Sequence, residues 1–100
     1  MTEIKYDYEP EFDVLHIYYS EINNGVKGCI SIGDYTLDIG HDNKIVGIEI
    51  EQASKLLDVS EKDLENLDSV SLLIKRKANV LSVGFIIIKN NKKSIMQFTV

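Results

Sequence analysis

The chain has 100 residues, enough for one domain over residues 1–100 and too few for two ordinary ones. With 44% hydrophobic and 27% charged residues, one proline and six glycines, the composition is globular, and it excludes collagen-like, low-complexity and long disordered chains. The single cysteine, Cys29, excludes an internal disulfide and a stapled secreted scaffold, and the net charge of −5 is far from the strongly basic balance of a nucleic-acid-binding domain.

That net charge hides a split. Residues 1–68 hold all sixteen acids against five lysines, a net of −11. Residues 69–100 hold five lysines, Arg76 and no acid, a net of +6. Mutual attraction inside one fold and lysine guards on exposed strand edges account for the split. A basic face for nucleic acid is the sharper alternative. Twenty-five residues are Ile, Val or Thr and two are Ala, so sheet is favoured over helix.

Ile4, Tyr6 and Tyr8 alternate with Lys5 and Asp7, which predicts a first strand with an aromatic inner face. Pro10 breaks it, and Asp13 is expected to tie down the Pro10 turn through backbone amides. A second strand follows over 14–19, with Leu15, Ile17 and Tyr19 on one face and Val14, His16 and Tyr18 on the other. Residues 23–25 form a turn. The segment 26–39, interrupted by Gly28 and Gly33, reads as two short strands or one bulged strand. Residues 40–44 form a hairpin loop, and 46–50 the next strand. There Gly47 marks a bulge or close packing, and Glu49 faces outward.

Residues 52–57 suit a turn of helix. Ser60 predicts the start of one short helix over 60–67, capped through the Asp63 amide, with Leu64 and Leu67 facing the sheet. Three strands are expected over 70–77, 80–89 and 94–100, with joints at 78–79 and 90–93 and the middle strand central. The fold class is α+β: an antiparallel β meander of six or seven strands with one short helix, of a length that curls into a barrel or splits into a sandwich.

No nucleophilic triad, phosphate loop or zinc spacing is present, so no cofactor and no catalytic residue is assigned. Cys29 reads as a buried, inert thiol. His16 shares its alternate strand phase with Asp7, Asp38 and Glu49. Those four residues are the metal or acid–base candidates on an outer sheet face, for a small metal- or ligand-binding protein or a weak hydrolase. Asp38, Asp42 and Glu49 also fall on positions 1, 5 and 12 of a twelve-residue calcium loop, but position 3 is Gly40 and strands flank the segment. Lys75, Arg76 and Lys77, with Lys92 and Lys93, are the residues for nucleic-acid binding. They lack interleaved aromatics, so that reading ranks last.

Tyr6-Asp7 with Asp13-Val14-Leu15-His16-Ile17 forms one motif. Leu37-Asp38, then Asp42-Asn43-Lys44-Ile45-Val46-Gly47-Ile48-Glu49-Ile50, then Ala53-Ser54, forms a second. Together they resemble a family of small uncharacterised bacterial and archaeal proteins, domain of unknown function 2283, over about residues 4–57. His16 stands where that family usually has tyrosine, and Asn43 where its turn usually has glycine. The resemblance implies no established activity. It associates the chain with two-gene modules that hold toxin-like partners. The leading expectation is therefore a non-enzymatic protein-interaction module, an antitoxin-like partner of a basic protein, with Asp42, Glu49, Glu51, Lys75, Arg76 and Lys77 as contact candidates. No targeting or membrane segment is legible, so a cytoplasmic protein is expected, with self-pairing through a terminal strand as a route to a homo-oligomer.

Overall fold

A computed structural model describes residues 3–99. Its elements in chain order are β1 (Ile4–Glu9), β2 (Val14–Tyr19), a 3-10 turn (Ser20–Asn24), β3 (Val26–Ile32), β4 (Tyr35–Gly40) and β5 (Ile45–Ile50). Then follow α1 (Ala53–Leu57), α2 (Glu61–Leu64), β6 (Ser69–Lys77), β7 (Val80–Lys89) and β8 (Lys92–Thr99). The class is the expected one, mostly antiparallel strand with short helices. The strands number eight in two sheets, without a closed barrel.

The first sheet has the order β1-β2-β5-β4-β3 and the second the order β6-β7-β8. Segment 26–39 resolves into two strands, β3 and β4, split at Gly33, which turns at φ +58°. β3, β4 and β5 form a meander, but β2 pairs with β5 and not with β3. A non-sequential pairing thus sits at the centre of the sheet. The 3-10 turn after β2 carries the chain to the far edge, where β3 starts.

Alternation decides what is buried. Leu15 and Ile17 of β2, Leu37 of β4, and Ile48 and Ile50 of β5 pack against Val83, Phe85 and Ile87 of β7 in one core. Tyr19 donates its hydroxyl to the Leu72 carbonyl at 3.0 Å, and the Leu67 amide donates to the Tyr6 hydroxyl at 2.8 Å. Tyrosines of the first sheet therefore hold the second sheet and its approach. β7 is the central strand of its sheet, as its two-faced apolar run predicts.

Ser60 caps the second helix through the Asp63 amide at 3.2 Å, but that helix spans only Glu61–Leu64 and not 60–67. It ends early because the Asn66 amide turns back to Asp63 and the Leu67 amide is taken by Tyr6. Leu64 is fully buried, as expected, and Leu67 packs against the core. Residues 53–57 form a second short helix. Asp13, at φ +53°, does not bond amides of its own turn. Its carboxylate instead accepts from the Ser54 amide (3.0 Å), the Ser54 hydroxyl (2.7 Å) and the Tyr8 hydroxyl (2.6 Å), tying the β1–β2 turn to α1. The last two strands join through Asn90-Asn91 alone, both at positive φ, so β8 begins at Lys92. The expected end of that strand at Val100 lies outside the described residues. No helix among the described residues is long and apolar enough to cross a membrane.

Candidate metal centre

The strand order lays two rows of side chains across the outer face of the first sheet. One row runs Asp7, His16, Glu49, Thr36, Ser31; the next runs Lys5, Tyr18, Gly47, Asp38, Cys29. His16 on β2 and Asp38 on β4 lie on either side of β5. Neighbouring strands are about 4.8 Å apart, so these two backbones are about 10 Å apart. Their side chains nevertheless meet, with His16 Nε2 2.8 Å from Asp38 Oδ2. They meet above Gly47, where a Cβ would stand 2.9 Å from Asp38 Oδ2, 3.1 Å from His16 Nε2 and 3.1 Å from Tyr18 Cβ. Glycine is required here for space. Beside it, the β4–β5 register slips by one residue at Val46, so both readings of Gly47, bulge and close approach, hold.

Glu49 completes a three-residue cluster. Ligand atoms of His16, Asp38 and Glu49 all lie within 4.8 Å of one another. Asp38 is only 4% exposed, and it is buried on the sheet face that points away from the core. Its Oδ2 faces His16, and its Oδ1 accepts from the Cys29 thiol at 3.7 Å. An ionised carboxylate only accepts, so the contact with Asp38 requires the proton on Nε2 of His16. Desolvation pushes the Glu49 carboxyl above its ordinary range, and the Asp38 carboxylate adds to this, while His16 pulls the other way. Cys29 is not buried as expected. It sits exposed on the edge strand β3, because its side chain takes the outward phase. Partial desolvation and then the Asp38 charge push its thiol up, so it stays protonated.

Of the four metal candidates, three converge and Asp7 does not. Asp7 is the row neighbour of His16, but its carboxylate accepts from the Tyr18 hydroxyl at 2.9 Å. That bond, ahead of desolvation, raises the Tyr18 pKa. The Tyr18 ring lies 4.7 Å from the His16 ring, holding the imidazole from one side. Asp7, His16 and Glu49 also line an open groove of about 360 Å³, with Phe12, 67% exposed, on its wall. A larger cavity of about 570 Å³ lies by the β4–β5 hairpin and holds His41, outside this cluster. Asp38, Asp42 and Glu49 do not share a calcium loop: Asp38 and Glu49 stand on strands, and Asp42 accepts from the Lys44 amide within the hairpin at 3.1 Å.

The interaction candidates are dispersed. Glu51 is exposed at the end of β5. Lys75 and Lys77 share the outer face of the second sheet with Lys93, and Arg76 takes the opposite phase. Lys92 reaches towards Asp58 at 3.9 Å and Lys89 towards Asp68 at 3.8 Å, so two of the C-terminal lysines face acids of the acidic portion, residues 1–68. The feature that sequence reading missed is the contact of His16 with Asp38 across an intervening strand. Its signal was Gly47, lying between Tyr18 and Asp38 in register.

No family model matches the chain, and no solved structure matches it. A protein of Methanosarcina mazei named "Putative hypoxanthine phosphoribosyltransferase" is 38% identical over 63 residues, covering 63% of this chain and 50% of that protein. The chain thus spans half the length of that relative.

Proposed function

We propose that this protein binds a first-row divalent cation, such as Zn²⁺ or Mn²⁺, through His16, Asp38 and Glu49. The observation that supports this reading is the convergence of one imidazole and two carboxylates within 4.8 Å on an open sheet face. An imidazole with two carboxylates suits Zn²⁺, Fe²⁺ or Mn²⁺ better than Ca²⁺, which takes six to eight oxygens. Three protein ligands leave coordination positions for water or a small ligand entering from the adjoining groove. The cation would take Nε2 with the ring proton shifted to Nδ1, and any proton held by an imidazolium or by the Glu49 carboxyl must leave, so binding strengthens as pH rises.

Calorimetric titration of the purified chain with Zn²⁺, Mn²⁺ and Ca²⁺, repeated at lower and higher pH, tests the reading. One Zn²⁺ or Mn²⁺ per chain, bound more tightly at higher pH and weakened at least tenfold in His16→Ala and in Asp38→Asn, is the expected result. Absence of saturable heat, or binding unchanged in both variants, overturns it.

A second reading, the protein-interaction module, is favoured by a different observation. Leu73 and Ile95 are 53% and 61% exposed on the outer face of the second sheet, beside Lys75, Lys77 and Lys93. An apolar patch with a basic rim fits an acidic partner. A photo-crosslinker in place of Ile95 tests it: an adduct with an acidic protein segment that Lys75→Glu abolishes supports it, and no adduct sinks it.

A further inference from the structure

A second concave region lies where the β4–β5 hairpin overhangs β6 and β7, and it shares no residue with the cation cluster. Its chemistry follows from the phase of β6. Val70, Leu72 and Ile74 point inward and belong to, or pack against, the core. Arg76 occupies the next position of that same inward phase and is paired in register with Leu81, a buried residue of β7. The row of hydrocarbon side chains thus ends in a guanidinium.

Ile45, Ile74 and Leu81 give the cavity an aliphatic floor, and its volume is about 550 Å³. That lies within the range of small-molecule sites. Tyr19 forms a wall, held in place by its bond to the Leu72 carbonyl. Lys44 of the hairpin and Arg76 of β6 both line the cavity. Neither cation has an ion-pair partner among the described residues. Asp42 and Asn43 complete the lining: Asp42 accepts from the Lys44 backbone amide, the Asn43 side-chain oxygen accepts from Lys27, and Arg76 and Lys44 together outweigh the single Asp42 carboxylate.

Two unpaired cations above an aliphatic floor select their ligand by exclusion. A bare anion leaves the floor in water, and a neutral hydrocarbon leaves the cations unmatched. We propose that this groove binds a single-chain anionic amphiphile, a carboxylate on a medium-length aliphatic chain. The carboxylate sits between Arg76 and Lys44, with a bidentate contact to the guanidinium, and the chain lies over Ile45, Ile74 and Leu81. The cavity of about 570 Å³ by the same hairpin shares Tyr19, Asp42, Lys44 and Ile45 with it, but Glu21 and His41 line it as well, so the aliphatic floor ends at Ile45.

The test is an amide-shift titration of the ¹⁵N-labelled full chain with decanoate below its micelle threshold. Parallel arms use decanol, acetate and vesicles of anionic lipid. Saturable shifts at Ile45, Ile74 and Leu81 with decanoate, at least tenfold weaker with decanol and with acetate, are the expected result. Arg76→Gln and Lys44→Gln, both exposed positions whose spectra report intact folding, should each weaken decanoate about threefold to tenfold and leave decanol unchanged. Shifts scattered over the surface, equal binding of decanol or acetate, or unchanged affinity in both variants overturn the proposal. Binding to vesicles without shifts from monomeric decanoate also overturns it, in favour of a lipid surface.

Discussion

Replacing Gly47 by alanine adds one carbon in the only space that lets His16 reach Asp38. The new Cβ would stand 2.9 Å from Asp38 Oδ2 and 3.1 Å from both His16 Nε2 and Tyr18 Cβ. Tyr18 Cβ is fixed to its strand, so the two polar side chains must separate. Asp38, 4% exposed, then loses its best partner, and a lost hydrogen bond to a charged group costs about 1.5–3 kcal/mol. Alanine returns about 0.5–1 kcal/mol through the smaller entropy of the unfolded chain. The net expectation is a loss of about 1–2 kcal/mol, or a fall in melting temperature of about 5–15 °C for a domain of this size. Urea and thermal unfolding of Gly47→Ala measure it. Repeating the change in a His16→Ala background should cost less, because one of the crowded groups is gone. Zn²⁺ affinity should fall together with stability. If Gly47→Ala matches the parent in melting temperature and in cation affinity, the argument from space at this glycine is wrong.

The bond between the two sheets is measurable as well: Tyr19→Phe removes the hydroxyl that donates to the Leu72 carbonyl and should cost about 0.5–1.5 kcal/mol by urea unfolding. Burial pushes the Asp13 carboxyl up, but the bonds from Ser54 and Tyr8 outweigh it, and the net shift is downward. A carboxylate lowered in the folded state stabilises fully above its unfolded value, about 4, and loses this as pH falls through the lowered folded value. Asp13→Ala should therefore be about 1–3 kcal/mol less stable at pH 7, with the gap closing in acid; a gap independent of pH refutes the assignment. Ala78 sits at φ +54° in the β6–β7 hairpin, a region costly for a residue with a Cβ. Ala78→Gly should stabilise by about 0.5–1 kcal/mol, and a loss of stability would show that the turn does not carry that strain.

Alternation was legible wherever one face is buried. It placed Tyr6, Leu15, Ile17, Leu37 and Ile48 inward, and it put His16, Asp38 and Glu49 on the outward phase. Phase says which face a side chain takes and nothing about which strand lies alongside. The convergence of His16 with Asp38 depends on β5 lying between β2 and β4, a pairing of strands distant in sequence that tertiary packing decides. The same limit hid the split into two sheets, since nothing in 51–68 marks where the chain leaves one sheet for the other. Cys29 was misplaced because an edge strand exposes even its small apolar residues. The early end of α2 turns on Tyr6, sixty-one positions from the amide it captures, and local propensity carries no trace of it.

The contrast between the two sheets sets an order of assembly. The C-terminal sheet is closed by two-residue turns, at Ala78-Asn79 and Asn90-Asn91, so each pairing needs only a short loop. The N-terminal sheet is complete only when Leu15 finds Ile50 and Asp13 finds Ser54, 41 residues along the chain, and such closures are slower because more chain must be ordered before any contact forms. The strands of the second sheet can therefore complete their pairing first. They give the first sheet a ready surface, Val83, Phe85 and Ile87, on which to condense.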